Sequence, residues 1–118
     1  MPHTLNRVTV QGACGTPVVR LTRDGPVFAS ADVEIEDLPK TRITVAALGL
    51  DAAAIASVVP GDVLKAEGIL RRDPASGEFF VFAEHASRMV RRGFDLVAEP
   101  TSLQDLDRLA SALTPAPT

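Results

Sequence analysis

A glycine in the middle of a strand-like segment constrains the fold of this chain more than any other residue. Residues 60–72 read PGDVLKAEGILRR, with the turn signal Pro60-Gly61 in front and Gly68 near the centre. A glycine inside a strand usually marks a bulge, a sharp bend or the close approach of another backbone. Such bends allow a small sheet to curl into a closed barrel. The segment therefore predicts a strongly curved sheet.

Segments with alternating polar and apolar residues, separated by turn signals, supply the other strands. In the clearest of them, apolar side chains from Val27 to Ile35 alternate with polar ones, so the apolar set is expected to face the core. Phe28 lies on the other face. Strands are predicted over 5–12, 17–23 (a second strand or a continuation of the first), 27–36, 41–49, 62–72 and 78–85, with an irregular continuation over 86–92.

Two segments favour helices. Residues 50–58 lack alternation and are rich in alanine, which predicts a short helix ended by Pro60-Gly61. Residues 94–100 are interpreted as a linker, after which Thr101 or Ser102 can cap a second helix. One face of that amphipathic helix carries Leu103, Leu106, Leu109, Ala110 and Leu113.

These elements predict an all-β protein. A five-stranded Greek-key barrel with one short helix between its third and fourth long strands is the oligonucleotide/oligosaccharide-binding (OB) pattern. The predicted domain division is an OB barrel over 1–93, followed by an acidic linker and a C-terminal helix and tail over 94–118.

Composition narrows the function classes. Residues 1–93 carry eleven basic and eleven acidic side chains, so the net charge of −3 comes from residues 94–118. A neutral barrel can still present a basic face. The lone Cys14, the lack of a long apolar run and the lack of a secretion-signal pattern favour a cytoplasmic location. No catalytic or metal-binding motif is found, so we expect no enzyme activity, cofactor or metal.

Several sequence pieces, in order, resemble the bacterial single-stranded DNA-binding protein (SSB) family over roughly residues 5–93. The pieces are NRVTVQG (6–12), PVVR (17–20), VFASADV (27–33), ITVAALG (43–49), GDVLKAEGILR (61–71) and AEH (83–85). The resemblance implies an OB fold, binding of single-stranded DNA, and a homodimer or homotetramer. The short hairpins also resemble those of the primosomal OB-fold protein.

Single-stranded DNA requires cations for phosphate and flat groups for bases. Phe80 and Phe82 are expected on one face of their strand and Phe79 with Val81 on the other. One of these sets is expected in the core and the other as a stacking platform or an oligomer contact, and for any one of the three phenylalanines the core is the favoured place. Phe28 is the better candidate for an exposed ring. The candidate nucleic-acid-binding residues are Arg7, Arg20, Arg23, Phe28, Lys40, Arg42, Lys65, Arg71, Arg72, Phe80 and Phe82. The alternative for the cations is a set of surface charges paired with carboxylates.

Two functions follow. The first is a non-catalytic protein that binds single-stranded DNA, with strong salt dependence, in replication, recombination or repair. The second is an SSB-like interaction or oligomerisation module with weak or no DNA binding. Members of the SSB family stack bases on Trp and other aromatic residues, and the lack of Trp in this chain would be the expected consequence of that loss. In either, the C-terminal helix is a candidate partner-binding surface for replication or repair proteins, through Leu103, Leu106, Leu109 and Leu113.

Overall fold

The computed structural model describes residues 6–38 and 40–114. The predicted residues Leu5, Pro39 and 115–118 lie outside the described residues. The strands are β1 (Val8–Cys14), β2 (Val18–Leu21), β3 (Val27–Ile35), β4 (Arg42–Leu48), β5 (Val63–Arg72), β6 (Phe79–Arg92) and β7 (Asp95–Ala98). The helices are α1 (Leu50–Ala56) and α2 (Leu103–Leu113). None of the helices within the described ranges has the length and apolar character that crossing a bilayer requires.

The long strands close into a barrel. Neighbours follow the order β1, β5, β6, β4 and β3, and β3 pairs back onto β1 to complete the ring. β4 and β6 run parallel, whereas the other pairs are antiparallel. β2 extends the sheet beside β3, and β7 extends it beside β6. The predicted five-stranded barrel, with α1 before its fourth long strand and α2 at the end, is confirmed.

Glycines allow two close approaches between neighbouring strands of the barrel. The pairing of β5 with β6 shifts register between Glu67 and Gly68, which is the predicted bulge. A Cβ atom on Gly68 would lie 2.0 Å from the carbonyl oxygen of Phe82, so only glycine permits this approach. Gly12 occupies the equivalent place on β1, where a Cβ atom would lie 1.7 Å from the carbonyl oxygen of Glu34. Gly12 does not end the first strand as predicted, because β1 bends there and continues to pair with β3 up to Cys14.

Small and branched side chains fill the barrel. The inward face of β3 is buried as predicted from Val27 to Val33, although Ile35 is only half-buried at the strand end. Leu64, Val45 and Val81 meet this face in the centre, and all three are completely buried. α1 closes one end of the barrel through its buried residues 52–55. Burial of this apolar surface is the main stabilising contribution to the fold.

The segment after the barrel is more ordered than the sequence predicts. The interpretation of residues 94–100 as a linker is wrong for its centre, because β7 pairs with the last four residues of β6. Gly93, with φ of 64°, forms the tight turn between the two strands. Phe94 lies beside it and is fully exposed. The division into two units at Gly93 stays a prediction.

α2 packs against its own barrel. Ser102 caps the helix: its hydroxyl accepts a hydrogen bond from the Asp105 amide at 3.1 Å, and the Asp105 carboxylate accepts one from the Ser102 amide at 3.0 Å. These bonds lower the pKa of Asp105. The predicted partner-binding leucines divide into two groups: Leu106, Leu109 and Leu113 pack against the barrel core, whereas Leu103 is 69% exposed. A partner-binding role for these residues stays a prediction.

Candidate nucleic-acid interface

A groove with a volume of about 620 Å³ crosses the outer face of β3, β4 and β6 and ends under the β5–β6 hairpin. Its floor is made of short side chains, Ser30, Thr44 and Ala46. Strand pairing aligns them, because Ser30 opposes Ala46 and Ala46 opposes Phe82. Thr44 likewise opposes Phe80 in the next row. Short residues between bulky ones make the sheet surface concave along this line.

Aromatic rings form the walls of the groove. Four of the five phenylalanines of the chain line it: Phe28, Phe79, Phe80 and Phe82. Phe28, Phe80 and Phe82 are half-buried, and Phe79 is 59% exposed. The expectation that any one ring of the cluster Phe79, Phe80 and Phe82 belongs to the core is therefore wrong, whereas Phe28 lies on the outer face as predicted. Exposed aromatic surface gathered in one concavity is typical of a binding site.

Phe79 is the functional candidate that the sequence missed. Alternation places it on the inward face with Val81, and Val81 is indeed core. Phe79, however, is the first residue of β6, at the rim where the barrel interior ends, so its ring turns outward into the groove. The turn signal at Asp73–Gly77, just before it, is the sequence feature that could have indicated a rim position.

Two of the predicted cations line the groove, and a third, Arg20, lies over the ring of a groove phenylalanine. Arg71 and Arg72 line it where β5 enters the hairpin. Arg20 opposes Phe28 across β2 and β3, with its guanidinium carbon 4.6 Å from the ring centroid. Arg71 stands in a similar relation to Phe82, at 5.7 Å. Arg72 Nε donates a hydrogen bond to the Gly77 carbonyl at 3.2 Å and so braces the hairpin.

Carboxylates at the groove reduce its positive charge. Asp73 and Glu78 lie in the hairpin at its rim, and Asp73 Oδ1 accepts a hydrogen bond from the Ala75 amide at 2.9 Å. Asp32, which lies two residues after Ser30 on β3 and opposes Thr44, accepts a hydrogen bond from the Thr44 hydroxyl at 2.7 Å. The groove therefore offers flat apolar surface more than it offers positive charge.

Arg7 is engaged elsewhere on the barrel surface. Its Nη2 atom donates hydrogen bonds to Glu67 at 2.8 Å and to Glu84 at 3.0 Å. The Arg7 guanidinium holds the pKa of Glu67 below its usual range. A phosphate would have to displace both carboxylates to bind here. The alternative interpretation of a paired surface charge describes Arg7 well, and its DNA-binding role stays a prediction.

The remaining predicted cations do not line the groove. Lys65 lies six residues before Arg71 on β5, which is about 20 Å along a strand. Arg23 lies in the β2–β3 turn, beyond Phe28, and Lys40 lies in the β3–β4 turn. Arg42 lines an adjoining pocket of about 460 Å³, which shares Thr44, Glu78 and Phe79 with the groove, and its Nε atom is 4.0 Å from Glu34.

Comparison with known proteins gives structural relatives only. No protein-family model matches the chain, and no curated protein matches its sequence. The wild-type single-stranded DNA binding protein from Thermus aquaticus superposes with a TM-score of 0.68 at 23% identity, over 77% of this chain and 43% of that one. A deletion mutant of the same protein gives 0.68 at 22% identity, over 75% and 42%. PriB from Ralstonia solanacearum gives 0.59 at 17% identity, over 72% and 98%.

The chain has an OB fold. The resemblance to SSB and to the primosomal protein is thus confirmed at the level of the fold. The chain spans less than half the length of the Thermus protein that it matches. The strands that carry the groove, β3 and β4, are the second and third long strands of the barrel, and the hairpin that covers it joins the last two. These are the places at which OB folds bind oligonucleotides and oligosaccharides.

Proposed function

We propose that this protein binds single-stranded nucleic acid, with single-stranded DNA as its ligand, by stacking unpaired bases on the phenylalanines of the groove. The convergence of Phe28, Phe79, Phe80 and Phe82 on one concave face carries the proposal. Stacking on aromatic side chains is sequence-tolerant, because every base has a flat face. The Thermus aquaticus relative is by its own description a single-stranded DNA binding protein.

The proposed role is non-catalytic. The OB-fold relatives support assignment to a DNA-handling process, and replication, recombination or repair in the cytoplasm is the role we propose. We also propose that the protein forms a homodimer or a homotetramer. The competing function, an interaction module docked through the C-terminal helix, has less support, because most of that helix's apolar face contacts its own barrel.

The charges that line the groove change the expected salt dependence of DNA binding. Arg71 and Arg72 are offset by Asp73 and Glu78. Each phosphate neutralised on a single strand adds about −0.7 to the slope of log affinity against log salt. With so few unopposed cations we expect a shallow slope, of about −1 to −2, rather than the steep one that the sequence suggested.

The test is a titration of fluorescently labelled oligo(dT), of about 12 nucleotides to suit one OB domain, at several salt concentrations. Phe80→Leu keeps the apolar volume but removes the aromatic plane, so it should weaken binding about fivefold or more, as expected when base stacking is lost. Phe94→Leu is the matched control, since Phe94 is fully exposed and outside the groove. Absence of binding by the unaltered protein at low salt would refute the proposed function.

A further inference from the structure

The cations on both sides of the groove lie over aromatic rings. Arg20 on β2 lies 4.6 Å from the Phe28 centroid, and Arg71 on β5 lies 5.7 Å from the Phe82 centroid. The two pairs stand on either side of the short floor residues, since β2–β3 forms one side and β5–β6 the other. Each distance is within the range at which a guanidinium is attracted to the face of a ring.

A base that approaches Phe28 or Phe82 must share the ring face with a guanidinium. A cation on the ring face covers part of the surface that the base would use. An arginine guanidinium is itself planar and stacks on bases as it does on aromatic rings. The arrangement therefore provides a layered surface, in which the phenylalanine supports the guanidinium and the guanidinium faces the ligand.

We infer that Arg20 and Arg71 act as base-stacking planes, each backed by a phenylalanine, and not mainly as phosphate ligands. This inference rests on the proposed function. It adds two planar guanidinium groups to the groove-lining rings of Phe79 and Phe80 as stacking surface, in a chain that has no Trp or Tyr. Arg72 differs, because its Nε atom is bound to the Gly77 carbonyl.

Lysine variants distinguish the contribution of the positive charge from that of the planar guanidinium group. Lysine keeps the positive charge of arginine but has no plane to stack, so Arg20→Lys and Arg71→Lys should impair stacking and spare attraction to phosphate. An abasic oligomer of the same length keeps the phosphates and lacks the bases. Comparing oligo(dT) with the abasic oligomer therefore reports the stacking contribution directly.

The experiment measures the affinity of the full chain, Arg20→Lys and Arg71→Lys for both oligomers. Each variant should bind oligo(dT) about fivefold or more weakly, near the lower end for loss of one stacked base, and bind the abasic oligomer as the unaltered protein does. Arg108→Lys is the matched control, because it makes the same change at an exposed position of α2 that lines the gap between α1 and α2 and not the groove. Thermal unfolding of each variant checks that the barrel is intact.

Three results would contradict the inference, and the third would also contradict the proposed function. If the unaltered protein binds oligo(dT) and the lysine variants bind it equally well, the inference is overturned and the proposed function stands. If the variants lose the same factor on both oligomers, the arginines are phosphate ligands and the inference is again overturned. If the unaltered protein binds neither oligomer at low salt, both the proposed function and the inference fail.

Discussion

The role of an individual arginine on this barrel depends on the side chains beside it. Arg7 meets two carboxylates within 3.0 Å, Arg20 meets a phenylalanine ring, and Arg72 meets a backbone carbonyl. The three residues have the same charge and the same chemistry. Sequence alone predicted all of them as DNA-binding cations, because pairing across strands depends on register, which the sequence does not state directly.

The Arg7 cluster makes the stability of the protein depend on pH. Arg7 lowers the pKa of Glu67 in the folded state, so Glu67 adds stability above its unfolded pKa of about 4.3 and loses it as the pH falls through the folded value. We predict that Arg7→Gln lowers the melting temperature at neutral pH and that the difference from the unaltered protein shrinks below about pH 4. Melting curves from about pH 7 to pH 3 measure this.

The control for this prediction is Arg91→Gln, which removes an equal charge from another exposed strand position. Its effect on melting should not follow the titration of Glu67. A constant gap between Arg7→Gln and the unaltered protein over the whole pH range would show that the cluster contributes by packing alone. Because all three side chains are exposed, we expect a modest effect that added salt reduces further.

At the level of elements, β5 contributes both to the closed barrel and to the groove. Its first half pairs with β1 and its whole length pairs with β6, so the bulge at Gly68 sets how the two neighbours curve. The second half of β5 carries Arg71, which lines the groove. A single bend therefore contributes both to closing the core and to placing the site.

Gly68→Ala tests this bend. A Cβ atom would lie 2.0 Å from the Phe82 carbonyl oxygen, and because that neighbour is backbone, the strands themselves must separate. We predict a loss of about 3 kcal/mol, the upper part of the range for overpacking, and a melting temperature lower by roughly 10 °C. Gly15→Ala is the matched control, since nothing lies within 4 Å of the position that its added methyl group would occupy. Equal melting temperatures for the two variants would contradict the proposed packing role.

The elements that the sequence predicted well are those with local signals. Gly68 was recognised because glycine in a strand is rare, and Val27–Val33 because its alternation is long. β7 has only four residues and forms because β6 extends far enough to pair with it, which no local pattern reveals. Phe79 was misplaced for a related reason: alternation gives the side of the strand, but not where the barrel interior ends.

At the level of the whole molecule, the groove and the C-terminal helix occupy separate surfaces. α2 packs against α1 and against β2 and β3, and within residues 6–38 and 40–114 no residue lines both the groove and the gap between α1 and α2. Sites without shared contacts usually contribute independently. Stability and ligand binding should therefore respond separately to changes on the two surfaces.

Leu109→Ala and Leu103→Ala test this separation and the use of the helix. Leu109 is half-buried against the core, so its loss should cost about 1–2 kcal/mol, below the ~2–5 kcal/mol of a fully buried leucine. Leu103 is 69% exposed, so Leu103→Ala should leave the melting temperature unchanged. We expect both folded variants to bind oligo(dT) like the unaltered protein. If Leu109→Ala instead left stability intact and reduced the solution mass, the helix would serve subunit association rather than its own barrel.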